Sequence, residues 1–160
     1  MKIKMIAKCL NVLPAVCLFG LASCNGGNAT TDAVPADTVA SADIRGEWIL
    51  ENIVKNDTVS VRPAEVVPGT TQTITFTDST YVIQTNCNTI SGNYTVNGDS
   101  ITLDAGLMTQ MACENMATED MLREVLPSIA TVEVENDSIA RLNGSPASSY
   151  IVLRKSSDKQ

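Results

Sequence analysis

Hydrophobic and polar residues alternate with a period of two along most of the chain after residue 44. In the segment 71–76, TQTITF, threonines alternate with residues that can face a core, which is typical of an antiparallel strand with one solvated face. The same pattern predicts eight strands, at residues 46–54, 71–76, 80–84, 90–96, 100–104, 131–135, 138–143 and 150–154. Many short strands at this spacing predict a compact, barrel-like antiparallel sheet and a mainly β (α+β) fold.

Two dipeptides indicate hairpins. Asn97-Gly98 tolerates the positive φ of a type I′ turn, and a two-residue loop there places Tyr94 opposite Ile101 and Gly92 opposite Leu103. The face of this hairpin towards the core would then carry Ile90, Tyr94, Val96, Ile101 and Leu103. The face towards water would carry Ser91, Asn93, Thr95, Thr102 and Asp104.

Asn136-Asp137 indicates a second hairpin, which pairs Val134 with Ile139. Arg141 then lies opposite Val132 and breaks the alternation. A β-bulge or an edge position would explain this.

One segment has the periodicity of a helix. Thr118 is the expected N-cap, and Glu119 and Asp120 follow where the helix dipole favours acidic residues. Apolar residues then recur at helical spacing until Pro127 ends the run. They are Met121, Leu122, Val125 and Leu126.

The N-terminal segment has the three parts of a secretory signal peptide: a basic start, an apolar run at residues 9–21, and small residues before a cysteine. Leu21-Ala22-Ser23-Cys24 resembles the lipobox of a bacterial lipoprotein precursor. We expect cleavage of residues 1–23 and lipidation of Cys24 with a diacylglyceryl thioether and an acylated amine. The alternative is an uncleaved anchor, but the run contains Asn11 and Pro14 and is shorter than the ~20 residues that span a bilayer.

Residues 24–43 are poor in large apolar side chains and predict a flexible tether, whereas residues 44–156 have the size of one small domain. The sequence Asn25-Gly26-Gly27-Asn28 lacks the acidic run that resembles a surface-export signal in some phyla. We therefore expect anchoring in the outer membrane, on its periplasmic face.

Two cysteines remain in the domain after Cys9 and Cys17 leave with the signal peptide and Cys24 takes the lipid. An exported chain can oxidise Cys87 and Cys113 to a disulfide, which would stabilise the fold by roughly 3.5 kcal/mol through chain entropy. The alternative is two independently buried thiols.

The charge and the absence of histidine exclude several functions. Three of the eleven basic residues leave with the signal peptide and none of the eighteen acidic ones does, so eight remain against eighteen, a net charge of −10. This balance argues against nucleic acid and anionic headgroups as partners. Without histidine, serine-histidine and cysteine-histidine catalysis and imidazole zinc sites are excluded.

Three motifs in order resemble the META domain (HslJ-like) family, over nearly the whole domain. A G-x-W-x-L strand is formed by Gly46, Trp48 and Leu50. The G-C-N and G-x-Y segments correspond to Asn86, Cys87 and Asn88 with Gly92 and Tyr94, and the T-x-M-A-C motif corresponds to Thr109, Met111, Ala112 and Cys113. The chain departs from the family in having Asn86 instead of glycine and a longer insert at residues 55–70.

The resemblance implies a small antiparallel, incomplete β-barrel-like sheet with one short helix packed against it. Bacterial members are often envelope proteins or lipoproteins linked to heat shock or antibiotic tolerance, and protozoan relatives to motility and virulence. The resemblance supplies no catalytic residues. The fold has also been likened to pilotin lipoproteins that hold a partner's tail.

Candidate chemistry beyond these motifs has simpler structural explanations. Methionines around Cys113 could bind Cu(I), but methionine commonly fills core gaps, so we expect no metal or cofactor. They are Met108, Met111, Met116 and Met121. The acid pairs Glu119/Asp120 and Glu133/Glu135 fit a helix N-terminus and an exposed strand face better than a glycosidase site, so we expect all four at the surface. Trp48, the only tryptophan, is expected in the core.

Three functional hypotheses follow. The first is a non-catalytic outer-membrane lipoprotein with an interaction or ligand-binding module for envelope stress or antibiotic tolerance, which predicts an apolar concave site or an exposed apolar patch and an envelope protein as partner. The second is an inhibitor of a periplasmic or host hydrolase that presents the insert 55–70, with Pro63 and Pro68. The third, an enzyme, lacks a recognisable nucleophile–base pair, so we expect no catalysis.

Overall fold

The computed structural model describes residues 42–157. Eight antiparallel strands form a closed ring in the order β1-β3-β4-β5-β6-β8-β9-β10, and β10 pairs with β1 to close it. Their bounds are β1 Gly46–Lys55, β3 Thr73–Phe76, β4 Thr80–Gln84, β5 Thr89–Asn97, β6 Ser100–Leu103, β8 Ile129–Glu135, β9 Ile139–Gly144 and β10 Tyr150–Lys155. The shortest strand pairing in the ring is between β6 and β8, which share the single register pair Ser100–Thr131.

Four further elements lie outside the ring. The short strand β2 pairs with β1, and β7 pairs with β5. A one-turn helix α1 follows β2, and helix α2 continues into a 3₁₀ turn. Their bounds are β2 Val59–Val61, α1 Pro63–Val66, β7 Leu107–Met108, α2 Ala117–Val125 and the 3₁₀ turn Leu126–Ser128.

The predicted mainly β barrel with one packed helix is confirmed, but the expectation of an incomplete barrel is wrong, because β10 pairs with β1 over six residues and closes the ring. All eight predicted strands are the eight ring strands, with ends that differ by at most two residues. The pattern missed β2, α1 and β7, because elements of two to four residues are too short to show a period. The insert 55–70 is therefore a hairpin arm and a helical turn, with Pro63 buried.

The core fills the barrel and extends to the apolar side of α2. Trp48 is 1% exposed, as predicted, and its indole Nε1 donates to the Ile44 carbonyl at 2.6 Å. Phe76 and Tyr94 meet edge to face with ring centroids 5.0 Å apart. From the helix, Met121, Leu122 and Val125 are buried against this cluster.

The register predicted for the first hairpin is wrong by two residues. Tyr94 pairs with Leu103 and Val96 with Ile101, because the loop is Gly98-Asp99. Gly98 has φ of 65°, and glycine at the first central position is what a type II′ turn requires. A shift of two residues preserves the faces, so Tyr94 and Ile101 are buried as predicted.

The register predicted for the second hairpin is wrong by one residue. Ile139 pairs with Glu135 rather than Val134, and Arg141 pairs with Glu133 rather than Val132. Asn136 and Asp137 both have positive φ, but Ser138 adds a third loop residue. The alternation is therefore intact here, and the irregularity in β8 lies between Ile129 and Thr131 instead.

The predicted N-terminus of the helix is also wrong. Helix α2 begins at Ala117, so Met116 is the N-cap residue and provides no side-chain cap. Thr118 lies within the first turn with its side chain fully buried. Tertiary packing has placed a hydroxyl that suits a cap inside the domain.

The signal peptide, the lipidation of Cys24 and the tether up to residue 41 fall outside the described residues. The helices within residues 42–157 are all too short to span a bilayer.

Candidate functional site

The second and third family motifs meet beside the N-terminus of α2. A disulfide joins Cys87, in the turn after β4, to Cys113 in the segment before α2, as the cysteine count predicted. Asn86 adds a second connection, because its Nδ2 donates to the Asn115 carbonyl at 2.9 Å. Asn115 in turn donates to the Val66 carbonyl of α1 at 3.0 Å. The motifs therefore fasten the long segment between β6 and α2 to the barrel.

Asn88 is the centre of this attachment. Its side chain is 3% exposed, and its Oδ1 accepts hydrogen bonds from Thr109 Oγ1 at 2.9 Å and from Met111 N at 2.8 Å. Its Nδ2 donates to the Met111 carbonyl at 3.1 Å. One amide thus satisfies three groups of the T-x-M-A-C segment, which explains the asparagine after the cysteine.

Glu119 lies beneath the same turn and is fully buried, so the expectation of a surface position for it is wrong. Its Oε1 accepts hydrogen bonds from the Thr85 hydroxyl and from Asn88 N, the latter at 3.2 Å. Asp120 is exposed as expected and pairs with Arg123 at 3.1 Å. We call Thr85, Asn88, Thr109, Met111 and Glu119 the polar junction.

Gly92, of the G-x-Y motif, allows the chain after β6 to fold back against β4 and β5. A Cβ atom at Gly92 would lie 2.1 Å from Asp104 Oδ1 and 2.8 Å from Tyr81 Cε1. Tyr81 donates its phenol proton to the Asp104 carbonyl at 3.0 Å, and burial raises the pKa of that phenol. Only glycine leaves room at this position for the side chains of Asp104 and Tyr81.

Asp104 holds the turn that follows β6. Its Oδ2 accepts from Asn93 Nδ2 at 2.8 Å, and its Oδ1 accepts from Gly106 N at 3.1 Å. Hydrogen bonds from Asn93, first from its backbone and then from its side chain, together with that from Gly106, lower the pKa of Asp104. The carboxylate is ionised at neutral pH and orders residues 104–110, which we call the cavity loop.

The cavity loop forms one wall of an apolar cavity of about 800 Å³, and α2 with the 3₁₀ turn forms the facing wall. The apolar lining comes from Ile90, Leu103, Leu107, Met108, Leu122 and Leu126. Leu107 is 80% exposed, the highest value among the exposed large hydrophobic side chains of residues 42–157. An apolar concavity with an exposed leucine at its edge is a feature that binding sites share.

Few polar groups line the apolar cavity. Gln110 and Asp104 lie on the loop side, and Arg123 lies on the helix side. Arg123 Nη2 approaches the Met108 sulfur at 4.0 Å, so this side chain bridges the two walls. The arrangement suits a predominantly apolar ligand with a small number of polar contacts.

The family motifs and the apolar cavity are largely different sets of residues. Asn88, Thr109 and Cys113 position the loop, and neither they nor Met111 line the cavity. Leu107 is a site residue that was not predicted from the sequence. Its signal was a leucine flanked by glycine and methionine in a segment without strand or helix periodicity.

The four methionines proposed and rejected as Cu(I) ligands do not share one environment. Met121 is packed in the core, whereas Met111 is 61% exposed. Met116 Sδ lies 3.9 Å from Asn88 Nδ2, and Met108 lines the apolar cavity. Between residues 42 and 157, no group of three or more cysteine, aspartate or glutamate side chains is placed to hold a metal ion.

Fold and site together define a small antiparallel β-barrel domain with one packed helix and an apolar cavity beside it. The META domain family model matches residues 42–157, and the chain therefore belongs to the META domain family. The resemblance found from the three motifs is confirmed. A search of curated proteins finds no match.

Two solved structures are similar to this chain. An NMR structure of a protein from Burkholderia xenovorans is 17% identical, with a TM-score of 0.59, and the match covers 71% of this chain and 83% of that one. A crystal structure of a DUF4847 family protein from Bacteroides vulgatus ATCC 8482 is 13% identical, with a TM-score of 0.50 over 71% of this chain and 94% of that one. At these identities the likeness shows the fold alone.

Proposed function

We propose that this protein is a non-catalytic, lipid-anchored envelope protein whose META domain binds a partner or ligand in the apolar cavity. The observation that carries the proposal is the cavity of about 800 Å³ with Leu107 exposed at its edge. Its volume lies within the ~300–1,000 Å³ typical of ligand sites.

The way the chain supports the cavity strengthens this proposal. The polar junction and the disulfide hold the segment after Leu107, and the hydrogen bonds of Asp104 hold the segment before it, so that Leu107 is exposed to solvent between two supports. Exposing a large apolar side chain forfeits ~1.5–3 kcal/mol of burial energy. A rigid support for such an exposed group is expected where the group contacts a partner.

Membrane attachment belongs to the proposal and rests on the lipobox resemblance at Cys24. We expect the protein in the outer membrane fraction, with its domain in the periplasm. A Cys24→Ala variant should move to the soluble envelope fraction, because several acyl chains supply the attachment. Equal membrane retention of this variant would overturn the anchor.

Site-specific photo-crosslinking in living cells tests the cavity. A photoreactive amino acid replaces Leu107 at native expression level, with and without heat or envelope stress. The matched control places it at Val59, which is also apolar and 52% exposed but lies on β2. We expect a crosslinked species at position 107 that is missing at position 59. Identical products at both positions, or none at 107, would overturn the proposal.

An inhibitor that presents the insert 55–70 is the second candidate. The exposed tip at Pro68-Gly69 favours it, since a protruding turn can enter a hydrolase cleft. Buried Pro63 and the bond from Gln72 Nε2 to its carbonyl at 3.2 Å hold the base of this arm against the domain. Shortening the tip should release an associated hydrolase if this candidate is correct.

A further inference from the structure

Strands β6 and β7 lie one after the other along the same side of β5. Strand β6 pairs with residues 94–97 of β5, and β7 pairs with Ile90 and Ser91. Residues 104–106 connect the two short strands. Together they form one interrupted strand whose second edge faces away from β5, and we call this the β6–β7 edge.

The alternation of hydrogen-bonded and non-hydrogen-bonded pairs along β5 shows which backbone groups lie on this edge. Asp104 N donates to the Asn93 carbonyl at 3.0 Å, and Thr109 N donates to the Thr89 carbonyl at 3.1 Å. In an antiparallel pair, the neighbours of hydrogen-bonded residues direct their N–H and C=O groups to the opposite side. Leu103 and Met108 therefore direct theirs away from β5.

The next ring strand does not reach these groups. Strand β8 meets β6 at the single pair Ser100–Thr131, so across residues 42–157 no strand pairs with the outer side of Leu103 or Met108. What faces them instead is the apolar cavity, with Leu122 and Leu126 on its far wall. An unpaired strand edge therefore borders an apolar space.

We propose that the apolar cavity receives an extended peptide segment of a partner protein, which adds as a short strand to the β6–β7 edge. This inference rests on the proposed function and specifies the partner of the same site. Main-chain bonds to Leu103 and Met108 supply register, and alternate side chains of the peptide enter the cavity towards Leu122 and Leu126. The peptide side chains that enter the cavity should be apolar, like the residues that line it.

The net charge of the domain indicates which residues should flank the apolar positions of the peptide. Residues 42–157 contain fifteen acidic and seven basic residues. Asp104 borders the cavity, and Arg123, its one basic side chain, is paired with Asp120. A peptide with lysine or arginine on either side of its apolar positions is complementary to this surface. A small apolar molecule that fills the cavity would leave the β6–β7 edge unpaired, so the two occupants are distinguishable.

Hydrogen–deuterium exchange on the full chain tests the mode of binding. The probe is a pooled library of peptides of about nine residues, with valine, leucine, isoleucine or phenylalanine at alternate positions and lysine at both ends. The matched control pool has the same side chains but N-methylated backbone groups on the pairing side. We expect the first pool to slow exchange at Leu103 and Met108 about tenfold or more, and the methylated pool to leave it unchanged.

Each outcome separates this inference from the proposed function. Equal effects of both pools would overturn strand addition, because main-chain bonds would then be unnecessary. If no peptide slows exchange while position 107 still crosslinks in cells, the peptide partner is overturned and the cavity function stands. If position 107 also fails to crosslink, both fall.

Discussion

The polar junction and the β6–β7 edge differ in whether their backbone hydrogen-bonding groups have partners. In the junction, one asparagine satisfies three groups of a neighbouring segment, and a buried carboxylate receives two further donors. At the edge, Leu103 and Met108 have no strand partner on their outer side within the described domain. The family motifs therefore support the site, whereas the site itself lies where strand pairing stops.

The largest expected effect comes from removing the disulfide. A Cys87→Ala/Cys113→Ala variant should lose roughly 3.5 kcal/mol in the free energy of unfolding, because a 26-residue separation is no longer closed in the unfolded chain. Urea denaturation measures it, and reduction of the natural chain is the matched control. Equal midpoints before and after reduction would show that the hydrogen bonds alone hold the cavity loop.

Glu119 tests the hydrogen-bonded half of the junction. Glu119→Ala should lower the free energy of unfolding by ~1–3 kcal/mol, since it removes two hydrogen bonds and a buried side chain, while the Thr85 hydroxyl and Asn88 N–H keep the bonds that join them. Glu119→Gln keeps one acceptor oxygen and should lose about half as much or less. Thermal unfolding of the two variants side by side gives the answer, and equal losses would mean that the charge itself matters.

Leu107 tests the opposite side of the comparison. Leu107→Lys should change the free energy of unfolding by less than ~0.5 kcal/mol, because its side chain is 80% exposed, yet abolish crosslinking from a photoreactive residue placed at Gln110 on the same cavity wall. Val59→Lys is the matched control and should keep both properties. A large stability loss on Leu107→Lys would assign the leucine to the fold rather than to the site.

The smallest effect concerns acid. The pKa of Asp104 is lower in the folded protein than in the unfolded chain, so its contribution to stability is present above the unfolded value, ~3.9, and is lost as pH falls through the folded value. The stability difference between the natural chain and Asp104→Asn should therefore shrink below about pH 4. Urea midpoints at acidic and neutral pH measure it, and a constant difference would contradict the prediction.

Period-two alternation located all eight ring strands, and helical spacing located α2, because both depend on which face of an element is buried. The hairpin registers were predicted less accurately than the strands. Gly98-Asp99 and a three-residue loop at 136–138 were each one residue away from the turns that the dipeptides suggested. Turn position depends on the backbone conformation of two or three residues, which many sequences tolerate in adjacent frames.

The position of Glu119 could not be obtained from the chain alone. An acidic residue in the first turn of a helix is favourable when exposed, and nothing local distinguishes it from Asp120 beside it. Only the docking of α2 against the turn after β4 buries one carboxylate and leaves the other in solvent.

By itself, the sequence determined the mainly β class, the family and the cysteine pair, since these follow from periodicity, ordered motifs and a count of residues. The tertiary structure alone decided where the apolar cavity lies. Its walls come from the loop after β6 and from α2, which are close along the chain but face each other only because each docks separately against the barrel, and its open edge exists because β8 leaves β6 after one pair. Such a site is a property of how the ring closes, and residue order does not encode it locally.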